Sequence, residues 1–256
     1  LLMYGMPNDT RTCLFGSFVN PDTAFGNAWA LLKQPASLTL GDLAGRWVFT
    51  EVFTRHHDTE YVLWRKRIMD INAGGTVTMR VYDETGSLVS GPVVYPVSIN
   101  GAGELTISFG GGYTWTMAVD AGKSVMAYTV HDTWVAHAYG VGVRQPTSCS
   151  FTELGGTWRG FQTYLQMLTY PEINLRTLAV SPSHGASTTA ALRVGEVEYA
   201  RTLSGLQPTG SFSLAGSMVS PTGWQVSAGK NVMINTTPHS LGPNKVAVVV
   251  MVKIPE

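Results

Sequence analysis

Charge is scarce in this chain. Asp, Glu, Lys and Arg make up 13% of its 256 residues, against roughly 25% in an average soluble protein. The 17 basic and 17 acidic residues cancel, which argues against a nucleic-acid or anionic-membrane role driven by bulk electrostatics. Long apolar runs are also missing. The longest, Val246 to Val252, is far too short to span a bilayer, so neither a nucleic-acid partner nor membrane insertion is expected. Scarce charge does not mean disorder here, because hydrophobic residues reach 44% and disorder needs low hydrophobicity with high charge.

Only two cysteines occur, Cys13 and Cys149. They exclude a disulfide framework and a cysteine metal knuckle, and leave either one bridge between them or two reduced core thiols. Residues 37–147 show no helical periodicity of useful length. The Gly-x-Ser-x-Gly elbow, the phosphate loop, His-Glu-x-x-His and Cys-x-x-Cys are all absent, so no catalytic activity and no cofactor are expected.

What the chain does have is internal repetition. Gly45-Arg46-Trp47 recurs as Gly156-Thr157-Trp158, Ala121 to Met126 as Ala228 to Met233, and Arg144-Gln145-Pro146 as Lys253-Ile254-Pro255. Three matches in the same order give two tandem copies, at 37–147 and 148–256. Met3 to Thr10 matches Met126 to Thr133, and Lys33-Gln34-Pro35 matches Arg144-Gln145-Pro146. On that basis residues 1–36 are the last two strands of a preceding copy, and the chain is expected to begin inside a repeat.

The first copy alternates with period two and is rich in Val, Thr, Tyr and Trp, which marks strands. Eight are expected, near 46–54, 61–71, 76–83, 93–99, 104–109, 113–120, 124–131 and 136–144. Tight glycine-rich connections mostly alternate with longer ones. In a meander this puts tight turns at one end and varied loops at the other. The expected fold is all-β, with tandem antiparallel up-and-down β-barrels of about eight strands each, which leave no exposed edge. β-Sandwiches built from the same meander are the alternative.

Gly-x-Trp at the first strand, with a cation at the end of the last, resembles the lipocalin and wider calycin signature. Tandem copies of this length are similar to repeat units of large secreted bacterial proteins of unassigned function. The resemblance implies that each tryptophan closes one barrel end beneath the late basic side chain, pairing Trp47 with Arg144 and Trp158 with Lys253. A cation on indole is worth about 0.5–2 kcal/mol.

Three sets of residues could carry a site. His56, His57 and Asp58 on one loop and His131, Asp132 and His137 on another would meet at the open end, with the residue types of a zinc site; two solvated loops are the plainer reading. Trp64, Trp115, Tyr128 and Trp134 could line a cup for a small hydrophobic ligand or stack on a glycan, or simply fill the core. Trp64-Arg65-Lys66-Arg67 is the densest basic run, and it reads as solvated exterior. The preferred function is a non-catalytic structural, adhesive or assembly segment of a secreted or cell-surface repeat protein, its partners being further copies of the repeat in the same or neighbouring chains. The alternative is a lipocalin-like binder of a small hydrophobic or aromatic ligand at the loop-rich end. Widely different residues in the two copies favour architecture over a shared pocket. The strands in 1–36 are expected to dock on the next repeat or on another chain by strand addition, with Cys13–Cys149 as a possible staple.

Overall fold

The computed structural model describes residues 2–8, 10–20, 25–55, 58–130, 135–166, 172–216, 219–236 and 245–254. The chain opens with a three-stranded antiparallel sheet, β1 (Leu2–Pro7), β2 (Cys13–Asn20) and β3 (Phe25–Leu32), in that spatial order. A single helical turn, α1 (Leu40–Leu43), leads into the first barrel. Its strands are β4 (Gly45–Arg55), β5 (Asp58–Asn72), β6 (Thr76–Tyr82), β7 (Leu88–Ile99), β8 (Leu105–Gly110), β9 (Tyr113–Val119), β10 (Val125–Val130) and β11 (Val135–Arg144). A second turn, α2 (Phe151–Leu154), leads into β12 (Gly156–Gln166), β13 (Glu172–Val180), β14 (Ser187–Val194), β15 (Val197–Ser204), β16 (Ser211–Gly216), β17 (Val219–Val226), β18 (Val232–Asn235) and β19 (Lys245–Lys253).

Both sets of eight close as antiparallel up-and-down barrels, β11 pairing with β4 and β19 with β12. This is the expected barrel architecture and not the sandwich. Alternation explains it locally: Val77, Met79 and Val81 on β6, Leu105 and Ile107 on β8, and Trp115, Met117 and Val119 on β9 all turn inward and are buried. Eight strands leave an interior that side chains can fill.

The two helical turns escape a search for helical periodicity because each is too short to show one. Their signal is a capping box. Thr39 and Asp42 cap α1 reciprocally, and Ser150 and Glu153 do the same for α2, each at the same distance ahead of its Gly-x-Trp.

The opening segment corrects an expectation. It holds three strands, not two. The hydrogen bonds align Asn8 with Asp120 and Ser227, whose backbone N–H groups reach the carbonyls of Cys13, Val125 and Val232. They likewise align Lys33 with Arg144 and Lys253, whose N–H groups reach Thr12, Ser124 and Asn231. In each turn one non-glycine residue takes φ near +55°, namely Arg11 (53°), Lys123 (53°) and Lys230 (55°). So β1, β2 and β3 correspond to β9, β10 and β11 and to β17, β18 and β19. Matching Met3 to Met126 slid the segment by one whole strand, an easy error where every strand has the same period.

The three equivalent hairpins share a core outside the barrels. Cys13, Val125 and Val232 occupy one matching position in it. Ala30, Val141 and Val250 occupy a second, and Leu32, Val143 and Val252 a third. Phe15, Val52, Trp64, Ile234 and Val248 complete it. The turns meet as well: Asn231 Nδ2 donates to Thr10 Oγ1 at 2.9 Å, and the Ala228 N–H to the Arg144 carbonyl at 2.7 Å. The opening sheet therefore docks on the barrels by its face and joins neither as an added strand. Cys13 lies in this shared core, whereas Cys149 packs against the second barrel's own core, and the two form no disulfide. Burial pushes the Cys149 thiol up to about 11, with a smaller contribution from the Glu153 carboxylate.

Candidate functional site

The α-turn end of each barrel is plugged in the same way. Trp47 and Trp158 are fully buried, and their indole N–H groups donate to the carbonyls of Leu43 and Leu154, each at 2.8 Å. Gly45 and Gly156, which open the two Gly-x-Trp sequences, take φ of +126° and +114°, a conformation that L side chains rarely adopt. Arg144 pairs in register with Trp47, and Lys253 with Trp158. The Lys253 ammonium stands 5.9 Å from the Trp158 ring centre and donates to the Glu153 carbonyl at 3.0 Å. Arg144 instead spreads its guanidinium over two carbonyls, Asp42 and Ala44, both at 2.7 Å. Each cation thereby caps the C-terminal carbonyls of its helical turn.

Above that plug the first barrel contains a polar centre. Glu51 and Arg67 are both buried, and Arg67 donates to Glu51 Oε2 through Nε at 3.0 Å and Nη2 at 2.7 Å. The Tyr128 hydroxyl donates to the same carboxylate oxygen. The Arg67 guanidinium lies 4.5 Å from the Trp115 ring, which stacks on Tyr128 at 5.3 Å. Phe109 packs edge-on to Trp115 at 4.7 Å and to Tyr95 at 4.8 Å, and Trp115 Nε1 donates to the Tyr113 hydroxyl at 2.8 Å. Burial works against the Arg67 charge, but Glu51 and Tyr128 outweigh it and hold the guanidinium protonated. Burial first, and Glu51 second, push the Tyr128 hydroxyl well above its ordinary value. The guanidinium is thus held charged and the phenol neutral, each fixed by its neighbours in the barrel interior.

Of the candidate cup residues, Trp115 and Tyr128 line this lumen. Trp64 does not: it points outward into the shared core and donates from Nε1 to Thr50 Oγ1 at 2.8 Å. Its parity on β5 is opposite to that of Met69 and Ile71, which put it on the outer face from the start. Arg67 has the inward parity, as does Glu51 alongside Trp47 and Phe49, so alternation could have found the buried pair. The basic run around Trp64 is therefore not simply solvated exterior. Trp134, His56, His57, His131 and Asp132 lie outside the described residues. Asp58 and His137 are on β5 and β11, with their side chains outside the described set. Their strand ends are neighbours, since Arg55 pairs with Asp58 on one side and with Val135 on the other. Among the described residues there is no cluster of metal-ligating side chains, and no helix is long and apolar enough to cross a membrane.

Neither a protein-family model nor a curated protein sequence matches the chain. Similar solved structures include a protein of unknown function from the DUF3598 family of Nostoc punctiforme, 12% identical, covering 83% of this chain and 96% of that one, with a TM-score of 0.32. Isotype 1 transferrin binding protein B from serogroup B Neisseria meningitidis is 7% identical over 96% of this chain and 64% of that one, with a TM-score of 0.36. The Myxococcus xanthus hemagglutinin, solved with a mannopentaose, is 8% identical over 94% and 98%, with a TM-score of 0.17. Likeness at this level does not assign an activity or a partner to this chain.

Proposed function

We propose that the chain is a non-catalytic structural segment of a secreted or cell-surface repeat protein, in which lipocalin-like barrels are packed side by side for spacing, adhesion or assembly. One observation carries this reading: three equivalent hairpins bury matching residues in a single core between the units. Independent beads on a string would have no use for such a core. The first barrel adds support, because Trp47, Phe49, Met69, Leu105, Met117 and Tyr128 fill its interior. The partners of such a segment are further copies of the repeat, in the same chain or in neighbouring ones.

Small-angle scattering and unfolding test the reading together. The chain should scatter as one compact body, and Val143→Asp or Val250→Asp should expand it while the tryptophan signals of both barrels persist. A buried unpaired carboxylate at either site should destabilise the shared core by more than about 3 kcal/mol. Barrels that already tumble independently in the unaltered chain would sink the proposal.

A further inference from the structure

The opening sheet buries one face and bares the other. Cys13 and Phe15 on β2 face the shared core, and each is 3% exposed. Leu14, between them, has the opposite parity. It pairs with Pro7 on one side and Leu31 on the other. The matching rows are Val119, Met126 and Gly142 in the first barrel and Val226, Met233 and Met251 in the second. All six of those barrel residues are buried. In the opening sheet Pro7 is exposed, Leu14 is half-buried and Leu31 is 61% exposed. What forms the lower lumen wall in each barrel therefore lies open here.

The edges are open as well. In the barrels, β9 and β17 pair outward with β8 and β16, and β11 and β19 with β4 and β12. Their counterparts β1 and β3 have no such neighbour among the described residues. Nor does β3 carry the usual devices that blunt a free edge, since Phe25–Leu32 holds no proline and no charged residue. Lys33, exposed, follows β3 at the position of Arg144 and Lys253, each of which is the ladder partner of a Gly-x-Trp tryptophan. Both barrels meet all these needs with one block of five consecutive strands, from β4 to β8 or from β12 to β16.

We propose that the opening sheet is the docking surface for the first five strands of a further copy of the repeat. They close on β1 and β3 as an eight-stranded barrel, with their Gly-x-Trp tryptophan set against Lys33. A single added strand would pair one edge and leave Leu14 and Leu31 bare. This names the partner that the scaffold reading leaves general, and it rests on that reading.

Hydrogen exchange tests it on the whole chain, alone and with a copy of residues 37–112 joined directly ahead of Leu1. Amides of β3 should exchange at least about tenfold more slowly in the joined chain, and Leu31→Asp should restore their fast exchange. The same substitution in the chain alone should leave its unfolding midpoint unchanged, which separates lost docking from lost folding. Equal exchange at β3 with and without the added strands would overturn the proposal. So would β3 protection that grows with concentration in the chain alone, because the occupant would then be a second copy of this chain. Neither result touches the scattering test of the scaffold reading, so the two can fail separately.

Discussion

The two barrels solve the same filling problem with different residues. In the first, the Phe49 ring lies against Gly142, where a Cβ would come within 2.4 Å of it. In the second, the matching pair is Gly160 and Met251, with the bulk on the other strand and a Cβ on Gly160 only 2.6 Å from Met251 Cγ. The first barrel puts its aromatics in the upper half and leaves Leu105 and Met117 below. The second puts the stacked pair Phe212 and Trp224 at those lower positions. What stays constant is the plug: Gly-x-Trp, the capped helical turn and the late cation. The ends of these barrels are thus specified residue by residue, while the lumen is specified by volume and can diverge.

The largest expected effect breaks the comparison at its most asymmetric point. Glu51→Leu strands the Arg67 charge inside the first barrel and should cost about 3–5 kcal/mol in a denaturant unfolding curve. The combined replacement Glu51→Leu, Arg67→Met and Tyr128→Phe removes the whole polar centre and should return most of that stability, because a well-packed apolar substitute is often as stable as a buried ion pair. A loss below about 1 kcal/mol for Glu51→Leu alone would mean that the centre is wetter than its burial implies.

The packing swap comes next. Phe49→Gly should cost about 3–5 kcal/mol through the cavity it leaves. Gly142→Met should cost about 1–3 kcal/mol by overpacking. Together they reproduce the second barrel's arrangement, so the double variant should be more stable than the sum of the two losses by about 1 kcal/mol or more. Strict additivity would show that the two sites do not share the same space.

How much of this was legible beforehand follows from what alternation can and cannot encode. Period two and the turn glycines gave eight strands per copy, and the repeats of Gly45-Arg46-Trp47 and Ala121 to Met126 gave the copies. The pairing of Trp47 with Arg144 rests on the resemblance carried by Gly-x-Trp and the late cation; the two stand at opposite ends of the copy and are ladder partners in the closed barrel. The assignment of 1–36 failed because a short alternating match cannot distinguish neighbouring strands. Trp64, open in the sequence between cup lining, glycan stacking and core filling, has the parity that faces a neighbouring unit, and an outward hydrophobic residue looks the same in sequence whatever covers it. The Asx-like turns were visible as a recurring motif, but not as the meeting point of three units.

Those turns give a finer comparison. Asp120 Oδ1 accepts the N–H groups of Ser124 at 2.7 Å and Val125 at 2.8 Å, whereas Ser227 Oγ accepts those of Asn231 at 3.4 Å and Val232 at 3.2 Å. Asn8 does the same work for Thr12 and Cys13 at 2.8 and 3.2 Å. A charged acceptor makes the stronger bond, so Asp120→Ala should cost about 1.5–3 kcal/mol and Ser227→Ala about 0.5–1.5 kcal/mol. Equal losses would show that the fold is held at these turns by the shared core and not by the cap.

The smallest effect lies at the plugs, where the two barrels match. The Asp42 carboxyl is held down to about 2, chiefly by its hydrogen bond with Lys123, whose ammonium is 2.8 Å away, and then by Thr39. Glu153 is lowered in the same way, first by Lys230 and then, after a burial penalty, by Ser150. A carboxyl lowered by folding stabilises the native state above its unfolded value, 3.8 for Asp42, and that contribution fades as pH falls through about 2. Carboxyl NMR should therefore find Asp42 titrating near the lower figure. Lys123→Met should move it back toward the upper one while leaving Glu153 where it was, and Lys230→Met should do the reverse. An Asp42 that titrates at its ordinary value in the unaltered chain would show that the pair is open in solution and that only the tryptophan and the late cation hold the plug.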